Sequence, residues 1–210
     1  MMPPVTTPTP KPGHAGRNSV RIIGGAWRGR RIEFPATAGL RPTPDRVRET
    51  LFNWLQHDVA GARCLDLFAG SGALGLEALS RGAQDVVFVE TSVAAARALN
   101  LQLGRLGGAS RGLVIEAGAT RFLRTPGEPF DIVFLDPPFG REALAGYLPL
   151  LAAGRWLKPG GFAYLENERS AGLPVLPSGW ELLKSKSAGE VGYHLARVDA
   201  RAGESGPGND

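Results

Sequence analysis

The sequence predicts an α/β fold: a doubly wound, mostly parallel sheet finished by an antiparallel hairpin. Three observations predict it. From residue 63 onward, short apolar runs alternate with longer amphipathic ones, the pattern of successive βαβ units. A glycine-rich turn follows the first of these runs, where a buried strand passes directly into a helix. Near the C-terminal end two β-rich runs flank Gly189 with no room for a crossover helix between them, so they pair antiparallel.

The elements follow in order. Val20–Ile23 and Arg31–Phe34 are short β-rich runs separated by Gly24, Gly25 and Gly29, a small N-terminal hairpin. Thr43 and Pro44 supply an N-cap and a first-turn proline. Val47, Leu51, Trp54 and Leu55 then recur at helical spacing, which predicts a helix over 44–57. Five strands are expected at 64–68, 86–89, 113–115, 132–135 and 162–165, with helices near 73–81, 92–106, 118–124 and 141–153. Trp180 to Ser187 and Val191 to Val198 form the terminal pair. Residues 1–18 and 199–210 are rich in Pro, Gly and small polar residues without apolar periodicity, and are expected to be disordered. One domain over 19–198 remains, divided into a basic hairpin with its following helix (19–57) and a larger body (63–198).

Composition bounds the function. With 43% hydrophobic residues in a chain of 210, one sizeable core can be buried. The single Cys64 excludes an internal disulfide framework, and His14, His57 and His194 make no cluster with zinc spacing. No apolar run has the roughly 18 residues of a membrane span, and the Pro-rich start lacks the apolar stretch of a signal peptide. A cytoplasmic protein is expected. The net charge of +4 is unevenly spread: residues 1–63 carry ten Lys and Arg against four Asp and Glu, a net of +6, and the rest is −2. A basic front joined to a neutral body points to a polyanionic partner.

The chemistry begins at Asp66-Leu-Phe-Ala-Gly-Ser-Gly-Ala-Leu-Gly75. Gly70, Gly72 and Gly75 fit GxGxxG, and Glu90 lies twenty residues after Gly70 at the end of the second strand. Glycines let the backbone turn tightly against a ligand, and a carboxylate accepts hydrogen bonds from both ribose hydroxyls. A dinucleotide site, an S-adenosylmethionine site and a ligand-free junction all fit this pattern. Asp66 tips the choice. An acid four residues before the first glycine repels a pyrophosphate but attracts the cationic amino group of a methionine moiety. The blander roles are a carboxylate capping the turn amides for Asp66, and an ordinary strand-end acid for Glu90.

Asp136-Pro-Pro-Phe139 follows the fourth strand, which a doubly wound sheet places beside the glycine turn. The prolines fix φ and remove two donors, leaving carbonyls free to accept. The Asp136 carboxylate and the Pro137 carbonyl can take the two hydrogens of an exocyclic amine while Phe139 stacks on its ring. An aromatic amine is a poor nucleophile, because its lone pair is delocalised into the ring. Two acceptors favour a pyramidal nitrogen and aim that lone pair at a sulfonium methyl, so catalysis rests on positioning and electrostatics, with no metal.

Ahead of the glycine turn, Arg28, Arg30, Arg31, Arg41, Arg46 and Arg48 accompany Trp27 and Phe34. Guanidinium forks match phosphate oxygens and aromatics stack on unpaired bases, so the arginine-rich hairpin reads as an RNA arm beside the catalytic edge. The competing role is a solvated face with ion pairs to Glu33, Asp45 and Glu49. Arg46 and Arg48, two apart on a helix, cannot share a face, so one is expected to pair internally or meet the cofactor while the other meets RNA.

Gly24-Gly-Ala-Trp-Arg-Gly-Arg30, Leu40-Arg-Pro-Thr-Pro-Asp-Arg-Val-Arg-Glu-Thr-Leu-Phe-Asn53, the segment from Asp66 to Ser80 and Asp136-Pro-Pro-Phe139 together resemble the bacterial small-subunit ribosomal RNA guanine-N(2) methyltransferases. The likeness spans about residues 20–197, and the string from Arg41 to Asn53 is its most specific part. The resemblance implies a Rossmann-like class I methyltransferase with a seven-stranded sheet, which moves a methyl group from S-adenosylmethionine to the 2-amino group of one guanine. It implies cofactor contacts at Asp66, Phe68, Gly70, Gly72, Glu90, Gly118 and Ala119, with Asp136, Pro137 and Phe139 holding the guanine. Relatives usually carry Asn or Asp after the third strand to meet the adenine amino group; Gly118 here leaves that contact to the backbone. The RNA is expected either folded alone or within an assembling ribosomal subunit. The competing functions are adenine-N(6) methylation of DNA or RNA, a nicotinamide-dependent oxidoreductase, and a non-catalytic RNA-binding assembly factor.

Overall fold

The computed structural model describes residues 17–35, 43–138 and 143–200. In chain order the elements are β1 (Arg17–Arg21), β2 (Arg31–Pro35), α1 (Asp45–Trp54), β3 (Arg63–Asp66), α2 (Ala73–Ser80), β4 (Asp85–Glu90), α3 (Val93–Leu106), β5 (Gly112–Glu116), α4 (Ala119–Leu123), β6 (Phe130–Leu135), α5 (Ala143–Ala153), β7 (Leu157–Glu168), β8 (Trp180–Ala188) and β9 (Val191–Val198). Seven strands form one sheet in the order β5-β4-β3-β6-β7-β9-β8, and β1 with β2 forms a separate antiparallel pair. The strands from β5 to β7 are parallel; β9 runs antiparallel to both β7 and β8. The expected α/β fold with its terminal hairpin is therefore present.

Burial explains the strand assignments. Val86–Val89 and Ile132–Leu135 are buried on both sides, as central parallel strands between two helical layers must be. Phe52, Phe88, Phe134 and Tyr164 fill the core under α1, α2 and α3, while Leu65, Val133, Leu135 and Trp156 fill the one under α4 and α5. The α2 helix is buried all round. Its Gly75 has to be a glycine, because a Cβ there would run into the Phe88 ring.

The chain travels outward from β3 through β4 to β5, then returns to place β6 on the other side of β3. That reversal opens a crevice beyond the carboxyl ends of β3 and β6, where ligands bind in open α/β sheets.

Several boundaries differ from expectation. The β1 strand begins at Arg17, inside the segment read as a tail, because Arg17 pairs with Pro35. Residues 1–16 and 201–210, the remainder of the two expected tails save Asp199 and Ala200, lie outside the described residues. The first helix starts at Asp45 with Pro44 in the cap position and no side-chain cap. Thr43 therefore does not cap it; its hydroxyl is turned elsewhere, as described below. The β7 strand extends far beyond 162–165, because Lys158-Pro-Gly-Gly161 forms a bulge within it instead of a turn before it.

Candidate active site

Three acids meet at the carboxyl edge of the sheet. Asp66 ends β3 and Asp136 follows β6 directly. The last β6–β7 pair is Leu135 with Leu165, so Glu166 stands level with Asp136 one strand further on. Asp66 is buried, and its Oδ2 accepts the Gly75 backbone N–H at 3.0 Å. Asp136 is partly buried and Glu166 almost completely so. The Thr43 hydroxyl lies 3.3 Å from Asp136 Oδ2 and 2.9 Å from Glu166 Oε1, which also accepts the Tyr164 hydroxyl at 2.7 Å. Pro137 is buried beside them and Pro138 is exposed. Phe139 and Arg41 lie outside the described residues.

The glycine turn is built for close approach. Gly70 has φ +52° and Gly72 +76°, left-handed conformations that glycine adopts without a Cβ penalty. Glu90 anchors the turn: its Oε2 accepts the Gly70 N–H at 2.7 Å, and its Oε1 accepts the Ser92 N–H at 2.7 Å. A carboxylate has about four acceptor positions, so capacity for a ribose hydroxyl remains. Phe68 lies in the β3–α2 turn, edge-on to Tyr147 at 4.9 Å between centroids. Gly118 occupies the cap position of α4 and Ala119 its first residue; a Cβ on Gly118 would meet only Thr91. Asp66, Gly70, Gly72, Glu90 and Asp136 thus share one crevice, with Gly118 and Ala119 beside the end of β4.

The electrostatics call for a cation. Burial pushes the Asp66 carboxyl up to about 7, with Asp136 and Glu90 adding repulsion and the Gly75 N–H opposing it. Burial also raises Asp136, to about 6 against the opposing Thr43 bond, and Glu166, to about 8 with help from Asp136 and Asp66. No described Lys or Arg forms an ion pair with any of the three. Such a site favours a ligand that brings positive charge and rejects a pyrophosphate.

The profile of the family described as Conserved hypothetical protein 95 matches residues 20–197. Over 195 residues the chain is 48% identical to ribosomal RNA small subunit methyltransferase D of Escherichia coli K12, covering 93% of this chain and 98% of the relative. The chain belongs to the small-subunit ribosomal RNA methyltransferase D family. The Haemophilus influenzae member is 46% identical over 182 residues, covering 85% of this chain and 94% of its own. The solved yhhF protein of Escherichia coli superposes with a TM-score of 0.80 at 44% identity, covering 87% of this chain and 99% of that one. A hypothetical protein of Thermus thermophilus gives 0.71 at 34%, covering 86% and 99%. Membership makes this chain a class I methyltransferase whose cofactor is S-adenosylmethionine.

The methyltransferase D residues present here fit that cofactor. The uncompensated Asp66 supplies the partner for its ammonium, and the Gly70–Gly72 turn leaves its backbone open. A proton-linkage prediction follows. The raised Asp66 pKa contributes stability that is fully present below the ordinary 3.8 and lost as the pH rises through about 7. An ammonium placed beside the carboxylate lowers that value, so binding at pH 6.5 expels up to about one proton, and binding at pH 8.5 expels almost none. Titration calorimetry in buffers of different ionisation enthalpy reads this directly; identical heats in all buffers at pH 6.5 would refute it. Asp66→Asn should abolish the release and weaken cofactor affinity by about 10- to 100-fold.

The basic front needs three corrections. Of Arg46 and Arg48, Arg48 is the one that pairs internally, which removes it from the RNA-binding arginines: it is fully buried, Nη2 donates to Asp45 at 2.6 Å and to the Arg21 carbonyl at 2.8 Å, while Nη1 meets Glu77 at 3.5 Å and Nε donates to the Thr43 carbonyl at 3.2 Å. Trp27 and Phe34, read as base-stacking aromatics, are buried in the core. Arg28, Arg30, Arg31 and Arg46 are exposed. The hairpin also lies elsewhere than expected. Glu77 accepts the Ile23 and Gly24 N–H groups at 2.8 Å each, Ser80 accepts that of Trp27 at 2.9 Å, and Arg30 reaches the Arg105 carbonyl at 3.4 Å. Its turn is thus docked at the far ends of α2 and α3, about 12 Å down α2 from the catalytic edge. Arg46, in the first turn of α1 after Thr43, is the nearer cation.

Thr43, Tyr164 and Glu166 were not anticipated as site residues. A signal for Glu166 existed, since it ends an apolar run as Asp136 does.

Proposed function

We propose that this chain transfers a methyl group from S-adenosylmethionine to the exocyclic 2-amino group of a guanine in small-subunit ribosomal RNA. The observation that carries this reading is Asp136, held by Thr43 at the carboxyl edge of β6 beside Asp66 and followed by two prolines. The bound cofactor supplies an electrophilic methyl group. Asp136 and the Pro137 carbonyl accept the two amino hydrogens, fix the nitrogen and direct its lone pair. With a pKa raised toward neutrality, Asp136 is also a suitable acceptor for the proton that the methylated nitrogen releases.

Guanine and adenine offer the same pair of amino hydrogens, so the choice of guanine rests on the family likeness and the choice of RNA on the names of the relatives. Nucleoside mass spectrometry of ribosomal RNA from cells lacking the protein tests both. Loss of 2-methylguanosine is the expected result; loss of N(6)-methyladenosine with 2-methylguanosine intact would transfer the activity to adenine.

RNA reaching both Asp136 and the hairpin has to run the length of α2. Neutralising Arg28, Arg30, Arg31 and Arg46 to Gln should lower the slope of log affinity against log salt by about three, with cofactor affinity unchanged. Singly, Arg46→Gln should raise the RNA KM more than Arg28→Gln. An unchanged salt slope would remove these arginines from the RNA contact.

A further inference from the structure

We propose that Thr43 and Glu166 are positioning residues for methyl transfer: the Thr43 hydroxyl, pinned between the two carboxyl groups, sets the direction and the charge of Asp136. This rests on the reading of Asp136 as the group that grips the target amine.

The hydrogen count carries the argument. Thr43 is buried and its hydroxyl has one hydrogen, yet two carboxyl oxygens lie within reach, Asp136 Oδ2 at 3.3 Å and Glu166 Oε1 at 2.9 Å. Both contacts are hydrogen bonds only if one acid carries a proton. With the proton on Glu166, Oε1–H donates to Thr43 Oγ1, and the Thr43 hydrogen is left to donate to Asp136. Asp136 is then ionised, held on one oxygen, and free on the other to accept from an amine. With Glu166 ionised, the shorter contact claims the Thr43 hydrogen; Asp136 loses its donor and gains a second negative charge alongside.

The surroundings favour the first arrangement. Glu166 faces Tyr164 on its own strand, Asp136 beyond β6, Asp66 beyond β3, Thr43 ahead of α1 and Tyr193 across β9. None of these is a cation, and Glu166 is almost completely buried where Asp136 is only partly so; burial among acids therefore raises Glu166 further and places the proton on it. Arg48 Nε holds the Thr43 carbonyl at 3.2 Å and so fixes the backbone from which the hydroxyl reaches the two acids. Glu166 acts on the amine only through Thr43 and Asp136.

The test is methylation kinetics from pH 6 to 9.5 for the wild type, Glu166→Gln, Thr43→Val and Thr43→Ser, with cofactor affinity measured by calorimetry for each. The wild-type kcat should fall above about pH 8 as Glu166 ionises. In Glu166→Gln, whose amide cannot ionise, that fall should move to higher pH. Thr43→Val should lower kcat about tenfold, with the RNA KM and the cofactor affinity within about twofold, and Thr43→Ser should recover most of it. An alkaline fall unmoved by Glu166→Gln, or a Ser variant no better than Val, overturns the proposal. If Thr43→Val loses cofactor affinity as well, the Ser and Gln variants decide. Asp136→Asn separates the two levels. Full activity there removes the reading of Asp136 itself, whereas an inactive Asp136→Asn beside wild-type behaviour of the Thr43 and Glu166 variants removes only this proposal.

Discussion

Replacing Asp136 with Asn should lower kcat by about 10²- to 10³-fold, with cofactor affinity changed by no more than about threefold. The amide keeps the shape of the carboxylate but presents an N–H where an acceptor is needed, and it lacks the charge that polarises the amine. The same change should leave the melting temperature equal or higher. Asp136 is a partly buried acid among acids, so its removal relieves repulsion on Asp66 and Glu166. Single-turnover methylation with purified subunits, together with a thermal melt, separates lost chemistry from lost fold. Wild-type methylation by Asp136→Ala would end the catalytic assignment of Asp136.

Glu77→Ala should cost about 3–5 kcal/mol of stability, a drop on the order of 10 °C in melting temperature. Glu77 is fully buried and is shared by the Ile23 and Gly24 amides, Arg48 and Arg81. Its loss strands the fully buried Arg48 guanidinium with Asp45 as its one remaining acid and leaves two amides bare. Arg48→Met should be severe for the complementary reason, since it uncovers the Arg21 and Thr43 carbonyls. Arg46→Ala, at an exposed position on the same helix, should stay within about 0.5 kcal/mol. Urea melts of the three variants give the ordering, and a melt of Arg48→Met like that of Arg46→Ala would contradict the buried role.

What the sequence could reveal follows the range of the interactions involved. Strands such as Ile132–Leu135 announce themselves because burial on both faces requires an unbroken apolar run. The glycine turn and Asp136-Pro-Pro are local grammar. The Thr43 cap, and the choice between Arg46 and Arg48 as the inward arginine, are not settled locally, because deciding partners lie far along the chain: Glu166 is 123 residues from Thr43, and Glu77 is 29 from Arg48. A Thr before Pro looks like a cap until distant acids claim its hydroxyl. A hint for Arg48 was available in α2, where Glu77 is the one ionisable residue of Ala73–Ser80 and, once buried, requires a cation from elsewhere. Trp27 and Phe34 were assigned to RNA by their arginine neighbours, although Ile32 and Phe34 alternate with polar residues as an inward strand face does.

The sharing of Glu77 and Ser80 with the hairpin also imposes an order on biosynthesis. The hairpin leaves the ribosome first, but its docking groups lie 53 residues or more behind it. At about 10 residues per second, it waits on the order of five seconds with Trp27 and Ile32 uncovered before α2 exists to receive it. A pulse of protease on nascent chains should therefore cut residues 17–35 readily until the chain has grown past Ser80 and cleared the exit tunnel, and poorly thereafter. For that interval the basic arm is a tethered, unfolded cation held close to ribosomal RNA, the very polymer the finished protein is built to modify.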